Sequence, residues 1–71
     1  MNDPASTGDR HYAYFDAMRD ADEALADALG HLRVEEDAGR ITPAEAAVER
    51  VGLLEHHIAE CERLRRDAGL I

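Results

Sequence analysis

Seven consecutive residues, Gly39-Arg40-Ile41-Thr42-Pro43-Ala44-Glu45, do most to limit what this chain can fold into. Gly39 can take the left-handed conformation that ends a helix, Thr42 can cap the next one, and Pro43 suits its first position. Glu45 lies three residues beyond Thr42, the spacing at which the two side chains close a capping box over otherwise unpaired amides. The segment predicts a helix, a tight turn and a second helix.

The flanking residues carry the matching periodicity. Before the turn, Tyr14, Met18, Ala21, Leu25, Ala28 and Leu32 recur at alternating spacings of four and three, and Phe15 and Leu29 widen the same face. After it, Ala47, Val51, Leu54, Ile58, Cys61 and Ala68 form the expected stripe, interrupted by Arg65. Gly69 supplies a second stop signal. The expected organisation is a disordered leader over residues 1–8, helix 1 over about 9–38, a turn at 39–42 and helix 2 over about 43–68. A short turn folds the helices into an antiparallel hairpin in which Leu25 meets Leu54, Leu29 meets Val51 and Met18 meets Cys61. Gly52 weakens helix 2 by about 1 kcal/mol relative to alanine, and is read either as a point of close backbone approach or as tolerated drift.

The turn resembles one found in small bacterial helical hairpins, including the short carboxy-terminal domains abbreviated SHOCT, where Gly-x-Ile-Thr-x-x-Glu also separates two helices. The likeness runs from Gly39 to Leu54. Those domains place an aromatic residue soon after the glutamate and many lysines in the second helix, whereas this chain has Ala46-Ala47 and no lysine. The resemblance implies the hairpin and no activity.

A two-helix hairpin of 71 residues is near the size at which a lone core is marginal. Val34, Ile41, Val48, Leu53 and Leu64 fall off the central stripe, as do Leu70 and Ile71 at the end, and several would stay wet in an isolated hairpin. The expected fold is therefore all-α, a two-helix antiparallel hairpin that pairs with a second copy into a four-helix bundle. Val48, Leu53, Leu64, Val34 and Ile41 are its expected dimer interface.

Charge limits the partners. Sixteen acidic residues against eight arginines give a net charge of −8, which repels nucleic-acid phosphates and anionic lipid headgroups. Direct nucleic-acid and membrane binding are disfavoured. Asp16, Asp20, Glu23 and Asp27 instead suggest a surface for a basic protein partner, the apolar ends offer a hydrophobic one, and a sharper version is an acidic mimic of nucleic acid that occupies a DNA-binding protein. One cysteine, no basic and apolar amino-terminal run, and no apolar stretch of the roughly 20 residues that span a bilayer predict a cytoplasmic protein. Alanine-rich, arginine-only usage fits a GC-rich bacterial or archaeal coding sequence.

The segment Glu55-His56-His57-Ile58-Ala59-Glu60-Cys61 carries the chain's potential chemistry. His57 with Cys61, and His56 with Glu60, lie one helical turn apart and could each give a metal two ligands, with Asp20 or Glu23 completing the set across the hairpin. The competing reading makes Cys61 a small hydrophobe and the histidines flank residues, and it is favoured because no further thiol or imidazole faces this turn. There is no glycine-rich phosphate loop and no serine nucleophile within a predicted helix. A thiol on the packed stripe makes a poor thiolate. The sequence predicts neither an enzyme nor a resident cofactor.

Overall fold

In the computed structural model, helix α1 spans Pro4–Asp37 and helix α2 spans Pro43–Asp67. The backbone of residues 4–70 and the side chains of residues 12–70 are described, so the first three residues of the expected leader and Ile71 lie outside the described residues. The helical backbone begins at Pro4 rather than near Asp9. Proline at a first helical position forfeits no hydrogen bond, since that amide has no partner within the helix.

The turn is built by caps on both sides. Gly39, at φ +76°, sits where α1 ends. Its N–H donates to the Glu36 carbonyl at 3.0 Å, and the Arg40 N–H donates to the Glu35 carbonyl at 3.0 Å. This bond pair is the Schellman arrangement, which satisfies carbonyls that the helix leaves open. Its usual apolar contact is replaced by an ion pair in which the Arg40 guanidinium grips the Glu35 carboxylate with two nitrogens, one at 3.2 Å. Four residues on, the Glu45 N–H donates to Thr42 Oγ1 at 3.1 Å and the Thr42 N–H donates to Glu45 Oε1 at 3.0 Å, closing the capping box. Gly69 repeats the Schellman bonds at the end of α2, with Gly69 N–H to the Arg66 carbonyl at 3.0 Å and Leu70 N–H to the Arg65 carbonyl at 2.9 Å.

The capping box gives the turn a pH dependence. The backbone N–H of Thr42, and then its side chain, hold the Glu45 carboxyl below its ordinary 4.5. A lowered folded-state pKa adds stability above the ordinary value and loses it as pH falls through the lowered one. Glu45→Gln is therefore expected to melt below wild type at pH 7, with the gap closing below pH 4.5. Paired thermal melts by circular dichroism measure the gap, and one of equal size at pH 7 and pH 3 would refute the assignment.

The two helices run antiparallel, tied by Arg50 Nη2 to Glu36 Oε1 at 3.2 Å near the turn and by His57 Nε2 to Asp22 Oδ1 at 3.1 Å further along. On α1 the predicted stripe faces inward, and Tyr14, Met18, Ala21, Leu25, Ala28 and Leu29 are half-buried while Leu32 is buried. On α2 the inward face is rotated from the predicted one. Ala46 and Cys61 are buried, and Leu53, His57, Leu64 and Ala68 are half-buried, whereas Ala47, Val51, Leu54 and Ile58 face solvent.

The turn accounts for that rotation. Ile41 and Ala46 occupy the positions just before the cap and four residues into the helix, the pair that forms a hydrophobic staple. Ile41 is half-buried and Ala46 fully buried. Once Ala46 points inward, residues 53, 57, 61, 64 and 68 follow it on the same side at helical spacing. The facing pairs Leu25 with Leu54 and Leu29 with Val51 give way to a core in which Leu53 and Leu64 reach toward α1. A Cβ built on Gly52 would meet nothing within 4 Å, so within the hairpin no backbone approaches there.

Candidate functional site

His57 and Cys61 meet, as their spacing predicts. Cys61 Sγ lies 3.5 Å from His57 Nε2, and the same nitrogen lies 3.1 Å from Asp22 Oδ1. The Asp22 carboxylate stands at ion-pair distance from the ring nitrogen that also faces the thiol. The carboxylate supplied by α1 is thus Asp22, in place of Asp20 or Glu23. Asp22 was legible in principle, because it shares helical spacing with Met18, Leu25 and Leu29 on the stripe that faces α2.

The other two expected ligands line the same groove as His57. His56 is exposed, and Glu60 is engaged by Arg63, whose guanidinium holds the Glu60 carboxyl below the ordinary carboxylate range. Arg63 also bonds Asp67 Oδ2 at 3.0 Å, and both acids raise its own pKa, Glu60 more than Asp67. Glu55 is exposed on the far side of α2. Among the described residues no group of three or more histidine, cysteine or acidic side chains converges to hold a metal ion.

One side of the hairpin is a trough. A groove of ≈560 Å³ runs between the helices over Ala17, Ala21, Ala24 and Ala28, walled by Leu25, Leu53 and Leu64 and rimmed by Asp20, His56, Glu60 and Arg63. A second groove of ≈320 Å³ shares Ala28 and Leu53 and continues it past His31, Glu35 and Glu49 to Ile41. The trough exists because alanines at helical spacing leave α1 thin on this side.

The opposite side is apolar and open. Phe15, Val51, Leu54 and Ile58 are between 43% and 64% exposed. Val51, Leu54 and Ile58 form a single stripe at helical spacing, and Ala26, half-buried Leu29 and Phe15 lie on the same side of α1. Phe15 also packs against Tyr14, ring centroids 5.5 Å apart.

The five residues expected to form the dimer interface do not share a face. Leu53, Leu64 and Ile41 are half-buried and line the trough, while Val34 and Val48 are exposed, each on the side of its helix turned away from the other helix. The acidic residues Asp16, Asp20, Glu23 and Asp27 are all exposed and follow one another at helical spacing along the outer edge of α1. Arg19 approaches two of them, at 3.4 Å from Asp16 and 3.9 Å from Asp20. No helix among the described residues is long and apolar enough to cross a membrane.

Comparison with protein families, with curated proteins and with solved structures finds no match to this chain.

Proposed function

We propose that this protein is a small acidic interaction module that acts as a homodimer, two hairpins packing into a four-helix bundle that presents carboxylates to a basic protein partner. The observation that carries the reading is the open apolar side of the hairpin: Phe15, Val51, Leu54 and Ile58 are between 43% and 64% exposed, while among the described residues the buried hydrophobic side chains are Leu32, Ala46 and Cys61. A contiguous exposed apolar face of this kind marks a protein interface. Asp16, Asp20, Glu23 and Asp27 lie on the outer edge of α1, where pairing of the hairpins leaves them in solvent. A basic partner docked there would associate faster at low salt.

Coupling of folding to self-association makes the melting temperature depend on concentration. For a dimer of this size, each tenfold rise in protein concentration is expected to raise the midpoint by about 4–5 °C. Thermal melts over two decades of concentration test this, and a midpoint constant within error would contradict it.

A further inference from the structure

We infer that the second copy docks on the face formed by Phe15, Leu29, Val51, Leu54 and Ile58, leaving the alanine-floored trough on the outside of the bundle. The inference rests on the self-association proposed above and assigns its surface. Three observations select this face.

The first is apolar content. Of the two sides of the hairpin, this one holds the large exposed side chains Phe15, Val51, Leu54 and Ile58. The leucines of the trough, Leu53 and Leu64, are already half-covered by α1. Covering the open stripe removes more apolar surface from water, and the gain scales with that area.

The second is charge. An isologous interface places one patch against itself, so the patch must complement itself. The trough is lined by the carboxylates of Asp20, Glu35, Glu49 and Glu60; Arg40 pairs with Glu35 and Arg63 with Glu60, which leaves the lining net acidic, so two troughs face to face would set acid against acid. The apolar face carries both signs, with Arg19 and Arg33 beside it on α1, Glu55 and Glu62 beside it on α2, and Arg65 at the end of the α2 stripe. Asp22, the exposed carboxylate on this side of α1, lies 3.1 Å from His57 Nε2.

The third is depth. Two apolar faces meet across a bundle core when their large side chains stand proud of the backbone and interlock. Valine, leucine and isoleucine on α2 and Phe15 on α1 stand proud, whereas the trough recedes over Ala17, Ala21, Ala24 and Ala28.

The test compares Val51→Glu/Ile58→Glu with Ala24→Glu by sedimentation equilibrium. Ala24 is exposed in the trough and serves as the control. Glutamate favours a helix at least as well as valine or isoleucine, so the double variant leaves helix propensity intact. Wild type and Ala24→Glu are expected at twice the 7.8 kDa chain mass, with the double variant dissociating at least about 100-fold more readily. Dissociation by Ala24→Glu with the double variant still dimeric would overturn the choice of face and leave self-association standing. A wild type of single-chain mass throughout would defeat both.

Because a dissociated hairpin can also unfold, thiol labelling supplies an independent readout. In a Cys61→Ala background, the thiol of Val51→Cys is expected to react with a maleimide on the order of tenfold more slowly than that of Ala24→Cys at high protein concentration, and at a similar rate on dilution. Protection of Ala24→Cys instead of Val51→Cys would also overturn the assignment.

Discussion

Leu32→Ala is expected to lower stability by about 2–4 kcal/mol and the melting temperature by roughly 10–20 °C. Among the described residues, three hydrophobic side chains are buried, Leu32, Ala46 and Cys61, and Leu32 is the largest of them at 6% exposure. Alanine and cysteine bring little apolar area, so Leu32 is the main anchor of the end of the hairpin next to the turn. Truncating it removes buried methyl groups and leaves a void beside Ile41, which lines the same end of the trough. For a domain of this size that loss is a large share of the total. Denaturant unfolding of the purified variant measures it, and a loss below about 1 kcal/mol would show that the core lies elsewhere.

Gly39→Val is expected to cost about 1–2 kcal/mol by a different route. A Cβ at Gly39 would meet no atom within 4 Å, so the loss cannot come from crowding. It comes from the φ of +76°, which L residues enter at a cost and β-branched ones least readily. Gly39→Asn, whose side chain tolerates this region, should lose much less. Gly52 is the contrasting case, with open space around it and an ordinary helical backbone. There alanine should stabilise by about 0.5–1 kcal/mol. Chemical denaturation of the three variants separates conformation from packing. Equal losses for Gly39→Val and Gly39→Asn would remove the conformational account.

What could be read from the sequence follows the range of the forces involved. The turn was legible in detail because Gly39, Thr42 and Glu45 act on amides and carbonyls within a few residues of themselves. The inward stripe of α1 was legible because its large apolar residues are concentrated on one side. The face of α2 was not, since that helix carries two candidate stripes, one through Leu53 and Leu64 and one through Val51, Leu54 and Ile58. Periodicity weighs them almost equally. The staple positions Ile41 and Ala46 decide between them, and a small alanine gives little hydrophobic signal.

The candidate site was legible to the same partial degree. Spacing along one helix brought His57 and Cys61 together, since local geometry alone governs that pair. It also grouped His56 and Glu60 with them, and both line the same groove as His57, where Arg63 engages Glu60. Asp22, rather than Asp20 or Glu23, reaches His57 because pairing across a hairpin depends on the azimuth of both helices. The same rotation separates Leu53, Leu64 and Ile41 from Val34 and Val48, which were grouped because all five fall off the predicted stripe.

The central claim is that the hairpin completes its core with a copy of itself. Sedimentation equilibrium of the untagged wild-type chain, from micromolar to millimolar concentration, tests it most directly. A single species of twice 7.8 kDa that falls toward the single-chain mass on dilution is the result predicted. A well-folded, helical 7.8 kDa species at every concentration would contradict it.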